Sequence, residues 1–173
     1  IKLTTLQKSS RSHLHRLLVQ LDNWIKTENT QSSTSQIAES IHAAAEKISR
    51  RSLVIIFSDM FQSPLSSTDI YQALQHLKHK KHEVLLFHVS DQNTEKVFNF
   101  ENHPYLFVDS ENGRKIKILP SHIKEQYRKK TEKFYRYIQH MCGQLKIDLV
   151  AVDTKDNFDK ILYSYLIKRR KMR

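Results

Sequence analysis

The chain has 173 residues, of which 39% are hydrophobic and 27% charged, and its formal net charge is +11. This length and composition predict one globular domain with a single core. No apolar run reaches the roughly 20 residues that span a bilayer, and nothing resembles a signal peptide, which argues against a membrane or secreted protein. The single cysteine, Cys142, is predicted to be a buried, inert thiol in a reducing compartment, so we expect a cytoplasmic protein.

The positive charge favours acidic proteins or nucleic acid as partners. Lys and Arg residues are spread along every segment, and they are densest in the basic tail at 168–173. Aromatic residues are not interleaved with them as a base-stacking surface would require. The pattern therefore favours a solvated basic surface, and nucleic-acid binding remains an alternative.

Over the first 48 residues, segments with regularly spaced hydrophobic residues alternate with polar segments. Residues 1–6 are predicted to form a short edge strand, and hydrophobic residues at helical spacing predict a helix from about Ser10 to Ile25. A polar loop at 27–35 follows. A second helix is predicted over 37–48, with a Ser or Thr at 33–35 as its N-cap.

The run Leu53 to Phe57 is the clearest strand in the sequence. Its consecutive apolar residues predict a strand covered on both faces, inside a parallel sheet. The strand ends at Asp59, and ligands and partners of open α/β sheets gather at the carboxyl ends of the strands. Asp59 is therefore either a turn cap or a functional carboxylate. The apolar Met60 and Phe61 after it either fold back over the sheet or form an exposed contact surface for a partner.

Two more strands, at 84–89 and 147–152, alternate with predicted helices and end at Asp91 and Asp153. This order predicts a parallel sheet built from strand–helix–strand units. Between the first two strands, a helix is predicted to begin at a Ser66–Asp69 capping box. A small β insertion at about 96–119, with strands at 97–100, 105–108 and 115–119, and a long helix to about Leu145 are predicted before the third strand. A last helix begins at about Phe158.

Three strand-end carboxylates, Asp59, Asp91 and Asp153, are thus predicted at one edge of the sheet. Together they would suit a hard cation such as Mg²⁺, and a metal-dependent hydrolase is the enzymatic alternative. For Asp91 and Asp153 we favour a turn-capping role. Other chemistry has little support, because there is no glycine-rich phosphate loop and because the nearby His76, His79 and His82 are predicted to lie on a solvated basic helix face.

Three stretches carry a family resemblance: RRSLVIIFSDMF at 50–61, ALQHLKHKKHEVLLFHV at 73–89 and CGQLKID at 142–148. They resemble a bacterial family of uncharacterised proteins with a von Willebrand factor A-like domain, often encoded beside MoxR-type AAA+ ATPases. The resemblance covers essentially the whole chain. It implies a Rossmann-like, mostly parallel sheet with helices on both faces. It also implies a metal-ion-dependent adhesion site, in which an acidic group of a partner protein completes the shell of a divalent cation.

That adhesion site is built from three loops, of which the resemblance places two in this chain. Asp59 matches the Asp after the fourth strand, and Thr34 is the best match for the middle-loop Thr, with Ser33 as a rival. The Asp-x-Ser-x-Ser of the first loop occurs nowhere in the 173 residues. We therefore expect residues 1–173 to be a partial von Willebrand A-like domain that begins at the third strand of the fold. Mg²⁺ or another divalent cation would bind the intact protein but not this chain alone.

The functional expectation is a non-enzymatic interaction module that binds a protein partner, with an AAA+ ATPase as the candidate. The two alternatives are the hydrolase and a nucleic-acid-binding protein.

Overall fold

The computed structural model of this chain describes residues 9–26, 37–49, 51–60, 67–109 and 113–171. Its regular elements follow one another in the order helix, helix, strand, helix, strand, hairpin, helix, strand, helix. The helices are α1 (Arg11–Lys26), α2 (Ile37–Lys47), α3 (Ser67–His79), α4 (Pro120–Gln144) and α5 (Phe158–Lys171), and the strands are β1 (Leu53–Ser58), β2 (Glu83–Ser90), β3 (Tyr105–Val108), β4 (Lys115–Ile118) and β5 (Asp148–Asp153).

The main sheet has three strands in the order β1-β2-β5, and both pairings are parallel. Ser58 of β1 lies opposite His88 of β2, and Ser90 of β2 lies opposite Asp153 of β5. The carboxyl ends of all three strands therefore meet at one edge. The mixed α/β, Rossmann-like architecture predicted from the alternating strand and helix patterns is confirmed.

Helices cover both faces of this sheet. On one face, Val84 and Leu86 of β2 join a core made with α2, α3 and α4. On the other face, Leu85 and Phe87 pack against Tyr165 of α5. The side chains of the larger core that are at most 1% exposed are Ala45, Met60, Ala73, Leu74, Leu77, Leu86, Ile138 and Cys142.

The edge strand β1 differs from its prediction. Leu53, Ile55 and Phe57 are 36%, 48% and 63% exposed, whereas Val54 and Ile56 pack against the larger core. The expectation that both faces are covered was wrong, since β1 is the outer strand of the sheet that the described residues form. The second cluster, which α5 covers, draws its strand residues from β2 and β5. A continuous apolar run indicates an apolar strand, but it does not tell a central strand from an edge strand.

The β insertion is smaller than predicted. β3 and β4 form the expected antiparallel hairpin, and Gly113 adopts a φ of 69° at its turn. Residues 97–100 do not form a strand. A π-helix (Gln92–Lys96) precedes them, and the Phe98 backbone turns back with a φ of 52°. This turn buries the Phe98 ring, whose centroid lies 4.5 Å from that of Tyr127 on α4.

Cys142 is 1% exposed, and burial raises the pKa of its thiol to about 11. At neutral pH it is an unreactive core residue, as predicted. Residues 168–171 of the basic tail belong to α5. In the described part of the chain, no helix is long and apolar enough to cross a membrane. The predicted strand at 1–6, the N-cap at 33–35 and the Ser66 capping residue lie outside the described residues.

Candidate functional site

The carboxyl edge of the parallel sheet is the first candidate site. Asp59, Asp91 and Asp153 follow or end the three neighbouring strands, and the strand register brings them to the same edge as predicted. In sheets of this type, the carboxyl edge is where ligands and partners bind. The three carboxylates nevertheless have different surroundings.

The turn at the end of β1 is fixed by Ser58. Its hydroxyl oxygen accepts a hydrogen bond of 2.9 Å from the backbone N–H of Met60. Met60 adopts a φ of 54°, which is unfavourable for a large side chain and is compensated here by its burial in the core at 1% exposure. Ser58 thus provides the turn hydrogen bond, and the Asp59 side chain is exposed at the strand end.

Two of the predicted partner-contact and metal residues lie outside the described residues, namely Phe61 and Thr34. The prediction that Met60 contacts a partner requires a correction. Its side chain folds back into the core, which is the first of its two predicted alternatives. It therefore does not offer an exposed contact to a partner in this conformation.

Asp91 and Asp153 act as turn caps, as favoured from the sequence. The Asp91 carboxylate accepts hydrogen bonds from the backbone N–H groups of Asn93 and Thr94 at 2.8 and 3.0 Å, and it pairs with Lys155 at 3.1 Å. These N–H donors and the Lys155 ammonium lower the pKa of Asp91 to about 2. Asp153 accepts the N–H of Lys155 at 3.0 Å. Both carboxylates are thus committed to loop structure.

Among the described residues, the carboxyl edge does not present a complete metal site. Over the described ranges, no group of three or more His, Cys, Asp or Glu side chains is placed to hold a metal ion. Mg²⁺ requires a near-octahedral oxygen shell, and at this edge Asp91 and Asp153 are used by their loops. The described residues therefore do not fit the cation that the resemblance implies.

We expect this chain to show no tight Mg²⁺ binding. Asp59 supplies one carboxylate, and water would have to fill most of the remaining shell, so affinity should stay in the weak range of isolated surface carboxylates. Isothermal titration calorimetry with MgCl₂ checks this. A saturable Mg²⁺ site that disappears in Asp59→Ala would show that the chain holds a metal site.

His88 lies beneath the same edge. Its side chain is buried, and neither ring nitrogen makes a hydrogen bond of good geometry among the described residues, although the Asp59 backbone lies close enough to act on the ring. The ring packs against Tyr135 and Phe134 of α4, with centroids 5.5 and 6.5 Å apart. Burial lowers the pKa of His88, Lys96 lowers it further, and the nearby Asp59 acts in the opposite direction. His88 is therefore a neutral imidazole whose protonation the fold opposes.

Neither His88 nor a second buried histidine was identified from the sequence. His82, predicted to lie on a solvated helix face, is 3% exposed, and its Nδ1 accepts the backbone N–H of Ser52 at 3.2 Å. That prediction was wrong because α3 ends at His79, so His82 lies in the turn before β2 and packs inside. The available indication for His88 was its position within an otherwise apolar strand.

The second candidate site is the exposed face of β1, which we call the β1 apolar stripe: Leu53, Ile55 and Phe57. The Phe57 ring stacks on Phe87 of β2 at 4.7 Å, so the stripe continues the apolar face that α5 covers. Asp59 follows the last residue of the stripe by two positions. Exposed apolar surface bordered by polar groups is typical of interaction sites.

Taken with the fold, these features define a Rossmann-like α/β protein with an exposed apolar edge strand that ends in a carboxylate. The chain belongs to the family described as "Protein of unknown function DUF58", whose model matches residues 2–138. Comparison with curated proteins found no match, and neither did comparison with solved structures.

Proposed function

We propose that the chain is a protein-interaction module of the von Willebrand A type, not an enzyme, and that it binds its partner through the β1 apolar stripe and the adjoining Asp59. The observation that carries this proposal is the stripe itself. A parallel strand is normally covered on both faces, yet Leu53, Ile55 and Phe57 lie open.

The energetics indicate that the stripe does not act alone. Full burial of a Leu, Ile or Phe side chain contributes about 1.5–3 kcal/mol, so these half-exposed residues would add roughly 2–5 kcal/mol together. Micromolar affinity requires about 8 kcal/mol, in addition to the cost of association. A partner must therefore also bind polar groups, and Asp59 is the nearest exposed carboxylate along the strand.

The metal-dependent part of the proposal applies to a form of the protein that also carries the Asp-x-Ser-x-Ser loop. In that form, Asp59 and Thr34 would be ligands of Mg²⁺ or another divalent cation, and an acidic group of the partner would complete the shell. The family resemblance supports this role and also suggests the partner, a MoxR-type AAA+ ATPase. Within this chain the proposal requires only that Asp59 be exposed at the strand end, as it is.

The test compares the protein with its Asp59→Ala variant for binding to a MoxR-type ATPase, the proposed partner. We expect the variant to lose at least about tenfold in affinity, equal to 1.4 kcal/mol. Asp156→Ala, which removes an exposed carboxylate from the loop after β5, should bind as the wild type does.

The same variants distinguish the nucleic-acid alternative. If the net charge of +11 serves to bind DNA or RNA, affinity should fall steeply with salt, and Asp59→Ala should leave it unchanged or raise it. Undiminished ATPase binding by Asp59→Ala, together with salt-sensitive DNA binding, would contradict the proposed function.

A further inference from the structure

Two histidines face each other where α2 packs against α3. The Nδ1 atoms of His42 and His76 are 3.1 Å apart, and their ring centroids are separated by 5.3 Å. Both side chains are only partly buried, so solvent and ions can reach them. This pair lies on the helices of one sheet face and shares no residue with the carboxyl edge.

Glu46, one helical turn after His42, determines which nitrogen of His76 carries the proton. Its Oε1 atom lies 3.1 Å from Nε2 of His76. A carboxylate accepts hydrogen bonds, so His76 donates from Nε2 and keeps a lone pair on Nδ1. Metal binding then requires the His42 proton to lie on its Nε2, which leaves the Nδ1 lone pairs of both rings for the ion. The same oxygen pairs with Lys80 at 3.2 Å, and Lys80 also donates to the backbone carbonyl of Ala45 at 3.0 Å. These contacts hold Glu46 in position.

The spacing of the two nitrogens matches that of two ligands on one metal ion. With Zn–N bonds of about 2.0–2.1 Å and tetrahedral angles, two ligand nitrogens lie about 3.3 Å apart. The Nδ1 atoms here are 3.1 Å apart. In addition, a carboxylate bound to the distal nitrogen is the usual companion of a metal-binding histidine, because it fixes the tautomer and increases ligand basicity.

We propose that His42 and His76 form a two-imidazole site for a borderline divalent ion, Zn²⁺ or Cu²⁺, with Glu46 as the positioning residue. Water would fill the other coordination positions, since the described residues offer two ligands here and not the three or more of a closed structural site. Mg²⁺ would not bind, because it prefers oxygen ligands. The site is independent of Asp59 and of the proposed function.

The test is titration of the untagged, EDTA-treated chain with Zn²⁺ and with Cu²⁺. Wild-type protein should bind one equivalent that His42→Ala loses. Glu46→Gln should weaken binding by about 10-fold or more. His140→Ala removes an exposed histidine from α4 and should leave the binding unchanged.

A second measurement does not depend on the folding of any variant. The electron paramagnetic resonance spectrum of the wild-type Cu²⁺ complex should show two coordinated imidazole nitrogens, and Zn²⁺ should shift the NMR signals of both rings. Binding that is unchanged in His42→Ala, or ring signals that do not move, would show that the pair is only a hydrogen bond between imidazoles. Either result overturns the proposal.

Discussion

Replacing Ile55 with Lys is expected to weaken self-association of this chain by at least about tenfold, or 1.4 kcal/mol, while leaving the fold intact. β1 lies at the edge of the sheet, with β2 as its only partner strand among the described residues. Since no other described strand pairs with β1, its outer edge offers backbone N–H and C=O groups for pairing with another chain, and the exposed apolar side chains on one face add contact area. A Lys side chain at the 48% exposed position of Ile55 removes apolar contact and introduces charge repulsion between copies.

The matched control is Ile116→Lys, which makes the same change at a 57% exposed position on β4. Sedimentation velocity over a range of concentrations should show association for the wild type and for this control, and a shift toward monomer for Ile55→Lys. A wild-type chain that stays monomeric, with rapid amide exchange along β1, would contradict the view that this strand needs a partner.

His88 is expected to make the protein lose stability as the pH falls below about 6.5. Its folded pKa is lowered, chiefly by burial, whereas the unfolded histidine titrates near about 6.5. Between these two values the unfolded state binds more protons, so stability is complete at higher pH and falls as the pH decreases through this range. Each pKa unit of difference corresponds to about 1.4 kcal/mol, a substantial part of the stability of a typical domain.

Urea unfolding between pH 5 and pH 8 checks this dependence. His88→Phe keeps a ring against Tyr135 and removes the two ring nitrogens, so its stability should change less over the same range. His140→Ala, at an exposed position, should retain the wild-type dependence. Asp91, with a pKa of about 2, contributes at lower pH, where its stabilisation is lost as the pH falls from about 4 toward 2. If the stability of His88→Phe depended on pH as strongly as that of the wild type between pH 5 and pH 8, a group other than His88 would be responsible for that dependence.

The arrangement of the sheet could be predicted from the sequence because the spacing of hydrophobic residues distinguishes the strands from the helices. The apolar runs at β1, β2 and β5 alternate with helical patterns, and this order leaves few topologies besides a parallel sheet with its carboxyl ends together. The placement of Asp59, Asp91 and Asp153 at one edge follows from that order alone. So does the capping role of the latter two, because Asp at the start of a loop readily accepts backbone N–H groups.

The remaining features depend on contacts between distant segments, which local patterns do not encode. Burial of Met60 and Phe98 requires positive φ angles that tertiary packing stabilises. The exposure of Ile55 depends on which strands flank β1. The contact of His42 with His76 joins residues 34 positions apart on different helices, so a search for metal-ligand spacings along the sequence does not find it.

Hydrogen–deuterium exchange of the protein, with and without the MoxR-type ATPase proposed as its partner, tests the proposed function most directly. If the partner binds the β1 apolar stripe and Asp59, backbone amides over 53–60 should exchange more slowly in the complex, because burial and strand pairing protect them. Amides of the β3–β4 hairpin, on a separate sheet, should be unaffected. Unchanged exchange over 53–60 in a saturated complex, with protection confined to the hairpin or α4, would contradict the proposal.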